Sequence, residues 1–296
     1  MTKNKKSKIL PATDMRPHIP DFQLIARCGR GGTGEVWEAV DLDGIHRAVR
    51  LVSYDGSKMP VKYRRKDARS IALYRQRTDN HENLQEILHH GRTEKYSYYI
   101  TCLADNLNKR SEQYIPDTLA ERLKRKKKFS SEEILNIMLA VANAIEYLHA
   151  CRVAHLDLKP ENIIFSKGVL KIVDMGLAGE CDETYLPSSG TLEYMPKRPC
   201  SGRARDIFAV GMILYCLYSG NSPEDFPEIG EEVDMDEIRL FNEIALKCCT
   251  YTPVAEYKDA SALKKDLLKL QKIYSENRQA ETFLQKMVRL VSFWRS

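Results

Sequence analysis

The stretch that decides the fold lies near the middle of the chain and reads His155-Leu156-Asp157-Leu158-Lys159-Pro160-Glu161-Asn162. It is followed by an apolar run at residues 163–165, by a second run at residues 170–173, and then by Asp174-Met175-Gly176. Two short strands joined by a turn would bring Asp157, Asn162 and Asp174 to one place. Asp157 could then take the proton of an attacking hydroxyl, while Asn162 and Asp174 offer the oxygen ligands that Mg²⁺ accepts when it also holds a phosphate. Lys159 adds a cation where a transferred phosphoryl group needs one.

This pattern resembles the catalytic loop and the metal-binding segment of the protein kinase family, and within the quoted stretch it departs from the family only at Leu156. A chance polar turn between two strands is the alternative, and the length of the match and the spacing to Asp174 argue against it. The resemblance covers about residues 21–272. It implies an α+β, bilobal protein-kinase-like fold, with a small, mainly antiparallel β N-lobe carrying one helix and a larger, mainly helical C-lobe.

The expected organisation has four parts. Residues 1–20 are polar and basic and predict a flexible tail. The N-lobe and the interlobe hinge are expected at residues 21–104, and the C-lobe at residues 105–272. Residues 273–296 carry apolar side chains at helical spacing and predict a C-terminal helical extension.

The overall composition is that of an ordinary globular protein. Of the 296 residues, 43% are hydrophobic and 29% are charged, and the net charge is only +5. Two basic runs, at residues 3–8 and 124–128, are expected to be solvated, with an acidic partner or a membrane surface as the alternative. No apolar run approaches the ~18 residues that a membrane span needs, and we expect no nucleic-acid partner. The eight cysteines form no C-x-x-C pair and no signal peptide precedes them, so we expect reduced thiols and a cytoplasmic location.

Two strand-like runs flank a glycine-rich turn at the start of the expected N-lobe. A lone G-x-G-x-x-G also serves dinucleotide-binding folds, but there the glycines open a helix, whereas residues 35–40 alternate like a strand. Strand, glycine turn, strand is the kinase arrangement, and by resemblance this turn lies over the phosphates of ATP. The nucleotide-binding residues implied in the hairpin are Gly29, Arg30, Gly31, Gly32, Thr33, Gly34 and Val36.

The next strand, residues 47–52, departs from the family at its phosphate-binding position. The family has V-A-I-K here, whereas this chain has Arg50 in place of the Lys. Arg keeps the charge, but its planar fork is not interchangeable with an ammonium at a tight site. The family's Lys pairs with a Glu on the following helix, and Asp67, which shares a helical face with Ile71 and Tyr74, is the expected counterpart. The alternative is that Asp67 is an ordinary surface charge among basic neighbours.

The strand of residues 98–104 reads as the connection between the lobes. By alignment with the family, Thr101 guards the back of the adenine pocket, and the backbone of Cys102 and Ala104 carries hydrogen bonds to adenine. Ala48 and Ile164 are implied as further nucleotide contacts. Thr is also simply a good strand residue, so Thr101 indicates little on its own.

Two signals mark the scaffold of the C-lobe. Ser130 and Glu133 form a capping box ahead of an amphipathic helix that is expected to end at His149. Asp206 opens the stretch that, in the family, begins the central helix of this lobe. By resemblance, its carboxylate fixes the backbone of the catalytic loop.

The run at residues 190–198 aligns with the family's G-T-x-x-Y-M-A-P-E, with Arg198 in place of the final Glu. In the family that Glu pairs with a later Arg, and the matching position here is Glu256. We therefore predict an ion pair between Arg198 and Glu256 with both signs exchanged. Two unrelated surface charges are the alternative.

Leu156 bears on regulation. In the family this position is usually Arg, which receives a phosphate carried by the activation segment, here residues 177–190. Leu has no donor, so we expect that phosphorylation of the segment is not needed to order the site. The hydroxyl residues concerned are Thr184, Tyr185, Ser188 and Ser189. The alternative is that Leu156 is an ordinary apolar filler, with regulation supplied by Arg203 or Arg205.

Two functions remain open on the sequence. The first is a serine/threonine protein kinase, a type that Lys159 favours, using Mg-ATP to phosphorylate a protein hydroxyl. Its base is Asp157 and its metal ligands are Asn162 and Asp174. Residues 34–37, G-E-V-W, are more typical of bacterial eukaryotic-like members.

The second is a pseudokinase, which binds nucleotide or acts as a scaffold. The substitutions Arg50, Leu156 and Arg198 favour it. The polar residues retained at the base and metal positions favour the enzyme.

Overall fold

The computed structural model describes residues 16–31, 34–53, 61–108, 114–126, 128–188, 190–230, 235–250 and 257–293. An antiparallel sheet with a single helix comes first along the chain, and a set of helices follows. This order confirms the predicted α+β, bilobal architecture.

The N-lobe is built on a five-stranded antiparallel sheet. Its strands are β1 (Phe22–Gly31), β2 (Gly34–Asp41), β3 (His46–Ser53), β4 (His89–Arg92) and β5 (Tyr96–Cys102), in the spatial order β1-β2-β3-β5-β4. β1 and β2 form the predicted hairpin around the glycine-rich turn. The pairing of β3 with β5 sets Ala48 opposite Thr101 and Arg50 opposite Tyr99. The strand that carries Arg50 therefore lies directly beside the strand that enters the hinge.

The helix of the N-lobe is α1 (Val61–Arg77). Asp67, Ile71 and Tyr74 are all buried, as their shared helical face predicts. The buried face of α1 contacts the turn at Met175–Leu177 of the C-lobe. The helix therefore connects the sheet to the segment that carries Asp174.

The N-lobe begins earlier than the sequence indicates. Ile19, which falls within the predicted tail of residues 1–20, is buried in the core of the sheet with Leu24, Val49 and Leu51. The Arg16 guanidinium also donates a hydrogen bond to the carbonyl of Leu24 at 2.9 Å. Residues 16–20 thus pack against the lobe, and residues 1–15 lie outside the described residues.

The C-lobe contains the helices α2 (Leu119–Arg125), α3 (Ser131–Ala150), α4 (Gly202–Ser219), α5 (Met235–Cys249) and α6 (Ala260–Phe293). The predicted capping box is present: the Ser130 hydroxyl accepts from the Glu133 N–H, and the Glu133 carboxylate accepts from the Ser130 N–H. α3 ends one residue beyond the prediction, at Ala150. α4 is buried along most of its length, which suits a central helix.

Pairs of short strands position the loops of the C-lobe. These are β6 (Val153–Ala154), β7 (Ile163–Ser166), β8 (Val169–Ile172), β9 (Gly179–Glu180), β10 (Thr184–Tyr185) and β11 (Cys200–Ser201). β7 and β8 form the predicted hairpin after the catalytic loop. β6 pairs with β9, so the chain entering the catalytic loop lies beside the start of the activation segment.

The last helix crosses a predicted boundary. α6 runs without a break through residue 273, so the part of the extension that is described continues the last helix of the C-lobe. Among the described residues, no helix combines the length and the apolar character that crossing a bilayer demands. All eight cysteines are described, and none of them forms a disulfide.

Candidate active site

Asp157 is fixed by contacts with Thr191, Lys159 and Asn162. Its Oδ1 accepts hydrogen bonds from the N–H and the hydroxyl of Thr191, each at 3.0 Å. Its Oδ2 lies 3.2 Å from Nζ of Lys159, which in turn donates to the Thr191 hydroxyl at 2.7 Å. Asn162 donates its amide to the Asp157 carbonyl at 2.8 Å. The carboxylate is thus held in one orientation next to a cation.

Asp206 holds the backbone of the catalytic loop. This fully buried carboxylate accepts the N–H groups of His155 and Leu156, both at 2.8 Å, and a hydrogen bond from Nε2 of His149 at 3.0 Å. Burial alone would raise the pKa of Asp206, but these donors hold it below its ordinary value. Leu156 has φ +67°, a left-handed conformation that costs a non-glycine residue of the order of 1 kcal/mol or more. The hydrogen bond from its N–H to Asp206 helps to offset that strain.

Asp174 follows β8 directly and also adopts a left-handed conformation, with φ 66° and ψ 68°. Its N–H donates to the side-chain oxygen of Gln85 at 3.2 Å, and its Oδ1 accepts from the N–H of Gly176 at 3.3 Å. Its carboxylate points towards Arg50, with 3.0 Å between Oδ1 and the NH2 nitrogen. The turn therefore places a carboxylate at the inner end of the cleft.

Arg50 bridges two carboxylates. One nitrogen of its guanidinium lies 2.6 Å from Oδ1 of Asp67, and the other lies 3.0 Å from Oδ1 of Asp174. Burial disfavours the charged form, but the negative charges around the guanidinium, Asp174 and Asp67 among them, raise the pKa of Arg50 above its ordinary value. The side chains of Arg50 and Asp67 are only 7% and 6% exposed. The predicted Arg50–Asp67 ion pair is therefore confirmed, and the alternative of a surface charge is wrong.

A cleft between the lobes gathers most of the predicted nucleotide contacts. Those that line it are Gly29, Val36, Ala48, Arg50, Thr101, Cys102, Ala104 and Ile164, together with Asn162 and Asp174. Asp67 lies behind Arg50, while Asp157 and Lys159 belong to the adjoining catalytic loop. Arg30, Gly31 and Gly34 lie in the β1–β2 hairpin. Gly32 and Thr33 lie outside the described residues.

Three residues with clear roles in the geometry were not assigned to the site from the sequence. Gln85 and Tyr99 line the cleft, and Gln85 holds the backbone of Asp174. Tyr99 places its ring 5.6 Å from the guanidinium of Arg50. Thr191 was recognised as part of a motif, but its contacts with Asp157 and Lys159 were not foreseen. The alternation of side chains on β5 offers a signal for Tyr99, since Tyr99 and Thr101 share a face.

The donors of the cleft suit a magnesium ion. Asn162 uses its amide nitrogen on Asp157, which leaves the amide oxygen as its ligand atom, and Asp174 adds a carboxylate. Within the described ranges, no group of three or more His, Cys, Asp or Glu side chains is arranged to hold a metal. Mg²⁺ does not need such a group, because it is usually bound through one or two protein oxygens, with water and substrate phosphates as its other ligands.

Arg198, at the end of the run 190–198, is exposed. Glu256, its predicted partner, lies outside the described residues. Their ion pair therefore stays a prediction.

Comparison with known proteins gives a consistent result. The model of the protein kinase domain matches residues 22–295. A calcium/calmodulin-dependent protein kinase of Emericella nidulans is 27% identical over 254 residues, which cover 81% of this chain and 58% of that protein. A probable serine/threonine-protein kinase of Dictyostelium discoideum is 28% identical over 229 residues, or 70% of this chain and 28% of that protein. A serine/threonine-protein kinase of Schizosaccharomyces pombe is 27% identical over 287 residues, or 90% and 39%.

The chain spans less than two thirds of the length of each of these relatives. The domain match, in contrast, extends over nearly all of it and includes both lobes and the cleft between them. On this match, the chain belongs to the protein kinase domain family.

Proposed function

We propose that this chain is a serine/threonine protein kinase that uses Mg-ATP to phosphorylate a protein hydroxyl. The observation that carries the proposal is the Asp157 carboxylate, which Thr191 and Lys159 hold beside Asn162, a residue that shares the cleft with Asp174. Two oxygen ligands in a cleft, with a base and a cation in the adjoining loop, are the groups that phosphoryl transfer requires.

Asp157 is the group that accepts the proton of the attacking hydroxyl. The hydroxyl oxygen bonds to the γ-phosphorus, the bond from that phosphorus to the oxygen of the leaving ADP breaks, and the proton passes to Asp157. Because Thr191 already fixes Oδ1, the carboxylate does not have to reorient during the reaction. Lys159, 3.2 Å from Oδ2, is placed to neutralise charge on the phosphoryl oxygens.

Asn162 and Asp174 would hold the metal through their side-chain oxygens. When bound, Mg²⁺ supplies positive charge that stabilises the phosphates of ATP. Arg50, fixed by Asp67, adds a permanent cation at the inner end of the same cleft.

The outer part of the cleft suits an adenine ring. Val36, Ala48 and Ile164 offer apolar contacts. The hydroxyl of Tyr114 donates to the carbonyl of Ala104 at 2.9 Å. A ring bound at the hinge would accept a hydrogen bond from the N–H of Ala104.

A radiolabelled-phosphate assay tests the proposal. With Mg-ATP and a mixture of protein substrates, the unchanged chain should label Ser or Thr, and Asp157→Ala should lower the rate by about 10²–10⁴-fold. Asp43→Ala, which changes an exposed turn, is the matched control and should keep full activity. Labelling that Asp157→Ala does not reduce, or labelling on Tyr alone, would contradict the proposal.

One observation favours a second candidate, a pseudokinase that binds nucleotide without transferring phosphate. Arg50 already pairs with Asp174, so a metal ion at Asp174 must compete with the guanidinium. The Lys that the family has at this position is shorter and would not pair with Asp174 in the same geometry. Under this candidate the cleft remains a binding site and the chain acts through a partner.

Thermal denaturation separates the two candidates at the binding step. A ligand that binds only the native state raises the melting temperature with its occupancy. We expect Mg-ATP to raise the melting temperature more than ATP with EDTA does, and Asp174→Asn to remove that difference. A magnesium-dependent rise in the melting temperature that survives Asp174→Asn would contradict the metal assignment. A rise in the melting temperature without any phosphate labelling of protein substrates would favour the pseudokinase.

A further inference from the structure

The activation segment is attached to the catalytic loop partly by apolar packing. Leu156 is buried with Ala154 and Cys181, and Leu177 and Tyr185 of the segment pack against this cluster. The position that would hold a phosphate-binding Arg in the family therefore holds an apolar anchor. This anchor acts on the segment as far as Tyr185, and the residues that follow need another contact.

Arg205 supplies that contact. It lies in the first turn of α4, where the Ser201 hydroxyl caps the helix by accepting from the N–H of Ala204 at 3.2 Å. Although Arg is a charged residue, Arg205 is only 3% exposed. Its NH1 nitrogen lies 3.5 Å from the carbonyl of Leu186, within the second half of the segment. A long side chain from a fixed helix thus reaches the backbone of the segment.

The other end of the guanidinium lies against Gly190. A Cβ atom built on Gly190 would collide with NH2 of Arg205, and it would lie 3.1 Å from the Leu156 carbonyl and 3.3 Å from Oδ1 of Asp157. Gly190 also has φ +108°, which a side chain rarely tolerates. The guanidinium therefore occupies the space that a side chain at residue 190 would fill, directly beside the catalytic loop.

The charges around Arg205 agree with this placement. Burial lowers the pKa of Arg205, and the nearby Asp206 and Asp157 carboxylates act in the opposite direction. Arg stays protonated at physiological pH even so. Burial, with a smaller effect from the Arg205 cation, lowers the pKa of Lys66 in α1. The guanidinium is thus a buried cation at the junction of the segment, the catalytic loop and α1.

The backbone that Arg205 holds is directly connected to the residue that fixes Asp157 and Lys159. Gly190 precedes Thr191, and Thr191 makes two hydrogen bonds to Asp157 and accepts one from Lys159. A shift of Gly190 would therefore move Thr191 away from the base.

We propose that Arg205 is a positioning residue, which clamps Leu186 and Gly190 so that Thr191 stays on Asp157 and Lys159 without a phosphate on the segment. This role rests on the proposed kinase function. Arg205 acts on the catalytic loop through the backbone of Leu186 and Gly190. Leu156 and Arg205 then divide the task that a single Arg performs in the family.

The test compares Arg205→Met, which keeps the apolar stem, and Arg205→Lys with the neighbouring Arg203→Met. Arg203 lies on the same turn of α4, but it pairs with Asp182 in the first half of the segment, at the surface, so it is the control for a contact that does not reach Leu186 or Gly190. For Arg205→Met we expect kcat for a protein substrate to fall by about tenfold to a hundredfold, because misplacing a site by about 1 Å has effects of this size. The KM for ATP should stay unchanged, since the cleft residues are intact. Arg205→Lys should recover part of the loss, and Arg203→Met should resemble the unchanged protein.

Limited chymotrypsin digestion gives a second readout that needs no activity. Cleavage at Tyr185 or Leu186 should be faster in Arg205→Met than in Arg203→Met at equal melting temperature. If the unchanged chain transfers no phosphate, the proposed function fails, while the digestion still decides whether Arg205 clamps the segment. Equal cleavage rates in Arg205→Met and Arg203→Met would overturn the inference. An equal loss of kcat in these two variants would also overturn it.

Discussion

At the scale of single residues, two carboxylates around Arg50 suit the guanidinium that replaces the ammonium of the family's Lys. A guanidinium has two nitrogens in a planar fork, and here they reach Asp67 at 2.6 Å and Asp174 at 3.0 Å. The shorter carboxylate at Asp67 complements the longer cation. Arg50 is thus the centre of a three-residue ion cluster, in which Arg50 and Asp67 are buried and Asp174 is partly exposed, rather than a simple replacement for an ammonium.

We predict that Arg50→Met destabilises the fold by about 3–5 kcal/mol, because it leaves the buried Asp67 carboxylate without its cation. Urea unfolding measures the change. The matched control is Lys124→Met, which removes an ion pair with Glu121 whose lysine is 71% exposed and should cost no more than about 1 kcal/mol. The double variant Arg50→Met, Asp67→Asn should recover part of the loss. A single variant as mild as the control would show that the cluster contributes little.

Asp206 gives a prediction with a pH dependence. Its pKa is lower in the folded chain than in the unfolded one, so its ionised form stabilises the fold above pH ~4, and this contribution is lost as the pH falls further. Asp206→Asn cannot accept the same hydrogen bonds, and we expect it to cost about 2–4 kcal/mol at pH 7. The difference between the two proteins should shrink from pH 5 to pH 3. Unfolding curves that differ by the same amount at both values would contradict this assignment.

The sequence was informative for residues that belong to a motif or a helical face. Asp157, Asn162 and Asp174 came from one short stretch, and the pairing of Arg50 with Asp67 was implied by the Lys–Glu pair of the family, with helix spacing indicating Asp67 as the partner. Gln85 was missed because its contact with Asp174 spans 89 positions and depends on how β8 passes the turn before β4. Local patterns carry no signal for such contacts.

At the scale of elements, the activation segment differs from what its family resemblance implies. The alternative for Leu156 was an ordinary apolar residue beneath the segment. The structure agrees with this part of it, since Leu156 packs with Tyr185 and Leu177. Arg205, named in the same alternative as a possible regulator, instead contacts the backbone of the segment. The sequence indicated which residues were unusual, but side-chain reach decided what they do.

We predict that the hydroxyl groups of the segment are not needed for activity. Replacing Thr184, Ser188 and Ser189 with Ala and Tyr185 with Phe should leave phosphotransfer close to that of the unchanged chain, because apolar packing and Arg205 hold the segment. Tyr185→Phe removes the hydrogen bonds from the hydroxyl to the carbonyl of Glu180 at 3.0 Å and to the carboxylate of Glu183 at 3.4 Å. Phosphotransfer to an added substrate is the measurement. A collapse of activity that an acidic substitution at Ser188 rescues would contradict the prediction.

At the scale of the whole molecule, the order of elements was predictable and two boundaries were not. The order follows from strand and helix periodicity together with the family motifs. Ile19 lies in a basic, Pro-containing stretch, so nothing local marks it as part of the core. The predicted extension begins inside α6, because this helix, which packs on α3, continues past residue 272. The family match likewise continues to residue 295.

The last prediction concerns the ion pair between Arg198 and Glu256. Because Arg198 is exposed, a pair here should contribute only about 0.2–1 kcal/mol. Arg198→Glu alone replaces attraction by repulsion and should lower the free energy of unfolding by about 1 kcal/mol, and less at high salt. The double exchange, Arg198→Glu with Glu256→Arg, should recover most of that loss. Urea unfolding of the four proteins in a double-mutant cycle measures the coupling between the two positions. Two single variants whose effects simply add in the double variant would mean that the charges do not meet, and that the paired exchange of sign is a coincidence of two surface residues.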